Sequence, residues 1–167
     1  DNRGARGGAI WAGGNSTSTL ENVTVSANAT AEGAAIATRD NATTSIRHST
    51  VAFNIGGGVY QEGGTLELLS SIFSDSRNEE AFPLSDVLVE VGDLQSLGFN
   101  LIEQTANTSF HSSDLVGVDP MLSALGNHGG STLTHGLLPG SPAINTSIDT
   151  LSTGSPITDQ RGVPRII

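Results

Sequence analysis

Glu21, Arg47 and Glu67 are the charged residues best spaced for acid–base chemistry in the first half of this chain. Cleaving an acidic polysaccharide by elimination needs a base for the proton beside the carboxylate, and cations to hold the enolate that results. Hydrolysing a glycosidic bond needs two carboxyl groups placed across it. Glu21 and Arg47 lie 26 residues apart, as do Asn22 and His48. Equal spacing makes each pair neighbours on adjacent structural units. Glu21 and Arg47 then read as an exposed ion pair, worth about 0.2–1 kcal/mol. His48 reads as a solvated side chain stacked beside Asn22. No set of carboxylates converges, so no catalytic residue is assigned and the chain reads as a non-enzyme.

The remaining donor sets have simpler explanations than metal binding. His111, Asp114 and Asp119 offer ligand atoms, as do Asp86, Glu90 and Asp93. Asp119 before Pro120 and Asp93 after Gly92 suit turns, where a carboxylate bonds its own backbone. The Asp-x-Asp-x-Asp-Gly loop and the Ca²⁺-binding nonapeptide are both missing from the sequence. His128 and His135 flank a Gly-rich stretch without ligand spacing. The Gly-Gly pairs are not followed by Gly-Lys-Ser/Thr, so they are not phosphate loops. The chain has no cysteine, which excludes disulfides and thiolate metal sites. No metal or cofactor is expected.

The elements that must position these residues follow from a repeat. Ile10, Ile36 and Val59 each follow a run of small residues; Leu20, Ile46 and Leu68 align next, then Val25, Val51 and Phe73, then Asn28, Asn54 and Ser76. The first two copies are offset by 26 residues at all four landmarks, and the next by 22 or 23. A register kept across four landmarks means stacked units, each burying its apolar edge on the next. The units run over 6–32, 33–55 and 56–78. Within them, short segments rich in Val, Ile and Thr alternate in and out and are bounded by Gly and Asn, as strands are. Two or three short strands per unit of this length make one coil of a parallel β-helix. The Leu-x-x-Leu-x-Leu frame of leucine-rich repeats is missing.

Composition agrees with a narrow solenoid. Of 167 residues, 36% are hydrophobic and 4% aromatic, which suits a thin interior of small and β-branched side chains. The net charge is −10, and the seven basic residues are all arginine. That balance argues against nucleic acid, whose phosphates need clustered cations, and against anionic membrane surfaces. No stretch approaches the roughly 18 apolar residues of a membrane span. No basic and apolar leader opens the chain. Any signal peptide or N-terminal cap is expected to be removed or to lie upstream.

Stacking assigns roles to particular residues. Asn28 and Asn54 fall at one equivalent position beside a turn, where amides bond backbone and each other in a ladder and tolerate left-handed geometry. Ser76 weakens that ladder in the third coil. Trp11 and Tyr60 occupy one position on either side of Ala37. With Ile10 and Val59 pointing in, the two rings point out, toward a sugar or a partner. Gly7, Gly8, Ala9 and Ile10 form a strand edge open to another chain. Six Asn-x-Ser/Thr sequons occur, at Asn15, Asn22, Asn28, Asn41, Asn107 and Asn145. They are candidate glycosylation sites, with Asn15 and Asn41 in loops between strands.

Beyond Asn78 the repeat loosens. Residues 79–83 read as an excursion, and Val87–Val91, Ser96–Ile102 and Asp114–Pro120 as strands, with Gly98 at a bulge or close contact. The coils are expected over 1–120. Residues 121–167, rich in Gly and Pro, are expected to cap the open end of the cylinder.

These last segments carry a resemblance. Ser96-Leu97-Gly98-Phe99-Asn100-Leu101-Ile102 resembles the final coils of bacterial right-handed β-helix proteins of the pectate-lyase-like superfamily. Asp119–Leu122, Asn127–Thr134, Leu137–Asn145 and Thr158–Arg165 resemble the C-terminal signature of the choice-of-anchor Q group within it. The coils are also similar to those of polymorphic outer-membrane proteins. The resemblance spans essentially the whole chain. It implies secretion and display on a bacterial surface, and it implies no known reaction. Asn145-Thr146-Ser147 departs from the group's usual Asp followed by small residues, and no sorting segment precedes Ile167.

The sequence therefore predicts an all-β, right-handed parallel β-helix with an irregular Gly/Pro-rich C-terminal cap. Its expected role is an extracellular structural or adhesive module that assembles head-to-tail into a filament or meets surface glycans. The alternative is a carbohydrate-active or carbohydrate-binding β-helix, lyase-like, using Glu21, Arg47 or His48.

Overall fold

The computed structural model of the protein describes residues 2–4, 7–31, 34–76, 85–106, 109–147 and 156–165. Its strands are β1 (Arg3–Gly4), β2 (Gly7–Ala12), β3 (Thr17–Glu21), β4 (Thr24–Ser26), β5 (Ala29–Thr30), β6 (Ala34–Arg47) and β7 (Thr50–Ala52). They continue as β8 (Val59–Leu69), β9 (Ile72–Ser74), β10 (Val87–Ser96), β11 (Leu101–Ile102), β12 (Thr105–Ala106) and β13 (Leu115–Val116). All of these strands pair in parallel, and no helix occurs among the described residues. The chain is a parallel β-helix.

Each turn of the helix has three faces. β2 and the first halves of β6, β8 and β10 make the first face; β3 and their second halves make the second. The third runs β4–β7–β9–β11–β13. One aliphatic or aromatic column lines the inside of each. Ile10, Ile36, Val59 and Val87 pair in sequence on the first face, Leu20, Ile46 and Leu68 on the second, and Val25, Val51, Phe73 and Ile102 on the third. The landmarks read from the sequence are therefore true spatial neighbours, and all but Ile10 are buried where the three columns meet. Stacking at the strand spacing of about 4.8 Å brings like side chains into continuous contact.

The corners explain the sharp bends. Non-glycine residues with positive φ recur at equivalent places, Asn22, His48 and Ser70 between the second and third faces, then Ala27, Phe53 and Asp75 after the third. Gly14, Asp40 and Gly63–Gly64 do the same between the first and second faces. A left-handed residue turns the chain inside one position, which a small triangular cross-section demands. Ala27 and Phe53 take left-handed geometry one residue before Asn28 and Asn54, leaving each Asn in position to bond across the stack.

One expectation about the strands changes. Ser96–Ile102 is not one strand: residues 97–100 turn the corner between β10 and β11, with Gly98 at φ 99°. A Cβ on Gly98 would come within 2.5 Å of Ser113 Oγ, so close packing holds that glycine. The described part of the C-terminal segment runs along the third face, reaching from Leu101 back to Asn22, Thr24 and Ser26 in the first turn. Phe110, in the loop after β12, packs on the core cluster. Residues 79–83, Arg6, Gly33, Asn78 and the sequon at Asn107 lie outside the described residues.

Candidate functional site

Polar side chains inside and between the corners form two ladders. In the first, Asn2 donates through both its backbone N–H (3.0 Å) and its amide (3.3 Å) to Asn28 Oδ1. Asn28 donates likewise to Asn54 Oδ1, at 3.0 and 3.2 Å. Asn54 Nδ2 closes the arrangement on the Val25 and Ala52 carbonyls. The ladder expected at Asn28 and Asn54 is present, and it extends to Asn2. A second ladder escaped the sequence reading. Val23 N–H donates to Ser49 Oγ, Ser49 N–H to Ser71 Oγ, Ser71 N–H to Asn100 Oδ1 and Asn100 N–H to Asp114 Oδ1. Its signal was a small polar residue just before every later strand of the third face, β7, β9, β11 and β13, a position that changes type from Ser to Asn to Asp.

Asp86 closes the stack from within. It is fully buried and accepts the Ser76 N–H at 2.9 Å on one oxygen and the Gln104 N–H at 2.9 Å on the other. Burial raises its pKa to about 6, although those two N–H groups oppose the shift. A carboxyl whose folded pKa exceeds its value of 3.8 in the unfolded chain binds its proton more tightly when folded. Its contribution to stability is complete below about pH 4 and is lost as pH rises to about 6, a span of about 3 kcal/mol at most. The expected result is a melting temperature that falls between pH 4 and 6 more steeply in the wild type than in Asp86→Asn. Identical slopes in the two proteins would discard this assignment.

Glu21 and Arg47 are cross-strand partners in register, but Arg47 bonds Glu67 at 3.1 Å and Ser45 Oγ instead. The guanidinium turns toward the following turn of the helix because Ser45 holds its Nε there. His48 is not solvated. It is half-buried, its Nδ1 has no partner, and burial, followed by the Arg165 charge, lowers its pKa. His111 and Asp114 share a turn held by Ser113, while Asp114 is committed to the Asn100 ladder. Asp119 caps its own turn at Met121 N–H. Glu90 accepts the Tyr60 hydroxyl at 2.7 Å; Tyr60 is pushed up to about 12 by burial and by that bond. No group of three His, Asp or Glu is disposed to hold a metal among the described residues.

Trp11, Ala37 and Tyr60 do align on one face position. Trp11 is 54% exposed, whereas the Tyr60 ring lies beneath the Arg39 guanidinium at 5.6 Å. Of the sequons, Asn15, Asn41 and Asn145 are exposed. Asn28 is 5% exposed and its amide is spent in the ladder, so the folded chain has no room for a glycan there. The Asn22 amide is likewise held by the Thr158 carbonyl.

A groove forms where the C-terminal segment straps the third face. Thr24 Oγ1 donates to Gln160 Oε1 at 2.7 Å, and Arg165 Nη2 donates to Asn22 Oδ1 at 2.7 Å. His135 sits with Nδ1 2.8 Å from the Ser123 carbonyl, so that nitrogen carries the proton and Nε2 accepts the Ser26 hydroxyl at 2.9 Å. Its ring also packs on Phe53, with centroids 4.9 Å apart. Between these contacts remain two cavities, of about 280 and 180 Å³, that share His48, Thr50 and Arg165. Compared with known proteins, the chain matches no family model, no curated protein and no solved structure. The groove is thus defined by its own geometry. Its lining gathers Arg161, Arg165, His48, His128 and His135 with one carboxylate, Asp159. Burial pushes the Asp159 carboxyl up, but Arg161 and two backbone N–H groups hold it below its ordinary value. No sequence signal marked this cluster, because its members are spread from residue 48 to residue 165 and meet only in the fold.

Proposed function

We propose that the protein is an extracellular structural or adhesive module, a stiff β-helical rod that extends by adding strands at its first turn. One observation carries the reading. Among the described residues β3 and β4 pair on one side only, with β6 and β7, so their other edges present backbone groups in the register of a further turn. The expected edge at Gly7–Ile10 belongs to the same end, where β2 closes the first sheet. The Asn ladder runs to that end as well, at Asn2. A parallel edge with a ladder acceptor beside it favours a second copy stacked head-to-tail, and such a contact propagates rather than closes.

The resemblance to choice-of-anchor Q and polymorphic outer-membrane proteins supports display at a bacterial surface. The strap leaves Leu133, Ile144, Ile157 and Val163 exposed, apolar side chains of the kind that partners cover. The exposed Trp11 ring supports contact with a surface glycan, the second reading, and retention on immobilised polysaccharide lost in Trp11→Ala would test it. For assembly, sedimentation velocity over a rising concentration series should show growth beyond the monomer. Thr19→Lys, an exposed position on β3, places a charge on the edge and should abolish that growth without lowering the melting temperature. A wild type that stays monomeric at high concentration would refute the filament.

A further inference from the structure

We infer that the groove beneath the strap is a binding site for a small oxyanion, held by the Arg165 guanidinium, the His48 imidazole and the Ser70 hydroxyl. This goes beyond the structural role and does not depend on it.

Charge is the first argument. The chain carries 17 acidic residues against 7 arginines, yet this groove collects two of the arginines, three of the four histidines and one carboxylate. That carboxylate, Asp159, is spent on Arg161, which it meets at 2.6 and 2.8 Å through two nitrogens. Arg165 keeps its charge. It is half-buried, and among the described residues no carboxylate lies within 4 Å of it. Its bonds go to neutral oxygens, Asn22 Oδ1 at 2.7 Å and the Thr158 carbonyl at 3.4 Å. Asp159 and Glu21 favour its charge only at longer range, and burial still outweighs them, so an anion in direct contact would offset the remaining cost.

Unmet hydrogen-bonding capacity is the second argument. His48 Nδ1 and Ser70 Oγ are buried and have no partner among the described residues. Buried polar atoms are satisfied in roughly nine cases of ten, so two orphans beside one cavity call for a ligand atom. The two residues occupy equivalent corners of successive turns, and both line the smaller cavity together with Arg165. Left-handed geometry at each corner, φ 50° for His48 and 46° for Ser70, sets their side chains on the strap side of the bend. The cavity volumes fall below those usual for drug-sized ligands and suit an ion with its waters. A cation is disfavoured by Arg165, and an apolar ligand by the orphaned donors. Carboxylate and phosphate share the chemistry that remains.

Inorganic phosphate, sulfate and acetate are the probes, each against sodium chloride at equal ionic strength. His48 ring resonances should shift saturably with a Kd of about 1 mM or tighter, and the melting temperature should climb with oxyanion concentration. A preference for phosphate and sulfate over acetate assigns a tetrahedral ligand, and the reverse a carboxylate. Arg165→Gln should weaken binding at least about tenfold. Because Arg165 also ties the strap to Asn22, Ser70→Ala is the cleaner variant. It removes no hydrogen bond of the free protein, so the melting temperature without ligand should hold while affinity falls about threefold. The site does not exist if no oxyanion gives a saturable response by about 10 mM, or if both variants bind as the wild type does.

Discussion

Asn54→Ala should destabilise the protein by about 3–5 kcal/mol, measured as the shift in a urea denaturation followed by circular dichroism. Asn54 is fully buried and satisfies four polar groups on three neighbours at once. Its Oδ1 takes the Asn28 backbone N–H and amide, and its Nδ2 supplies the Val25 and Ala52 carbonyls. Alanine strands the Asn28 N–H away from water, and each group left so costs about 1–3 kcal/mol. Asn54→Asp is expected to be as harmful, because it sets a carboxylate oxygen against two carbonyls. Asn28→Ala should cost less, since the partner it serves, Asn2, is exposed. The loss at Asn54 is a large part of the 5–15 kcal/mol that holds a typical domain together. A shift below about 1 kcal/mol would mean that the ladder orients the turns without stabilising them.

Phe73→Ala is the second large effect, about 3–5 kcal/mol by the same measurement. Phe73 is completely buried between Val51 and Ile102 in the third-face column. The column is one side chain wide, and backbone ladders on either side fix the strand spacing, so the cavity cannot collapse. Trp11→Ala offers the contrast. It removes a larger ring, but one that is 54% exposed at the first turn, and stability should change by no more than about 0.5 kcal/mol. Equal losses at the two positions would overturn the three-column core.

The strap changes how such losses spread. A bare solenoid is joined only between neighbouring turns, so its ends fray independently. Here Asn22, Thr24 and Ser26 in the first turn are bonded to residues more than 100 positions later. Those contacts couple the first turn to the last segment of the chain, and unfolding should be cooperative across the whole stack. The same arrangement encloses the groove, so the contacts that stabilise the rod also make a cationic recess.

The amino-acid order alone determined the winding of this chain. Ile36 on Val59, Ile46 on Leu68 and Val51 on Phe73 could be paired by counting, because a parallel stack repeats one residue position at a fixed offset, and apolar side chains must meet to leave water. Asn28 on Asn54 followed from the same arithmetic. Tertiary structure decided what no offset encodes. The Arg47 guanidinium chose Glu67 over Glu21 because Ser45 turned it that way. Asp86 gained its raised pKa from burial between Ser76 and Gln104, which the loosened repeat after Asn78 hid from counting. Arg165, His48 and Ser26–His135 became neighbours only when an aperiodic Gly/Pro-rich segment, free of any repeat, lay down along the third face. Periodicity reports contacts between like positions, whereas a strap is held by unlike ones, and those are set by shape and charge in three dimensions.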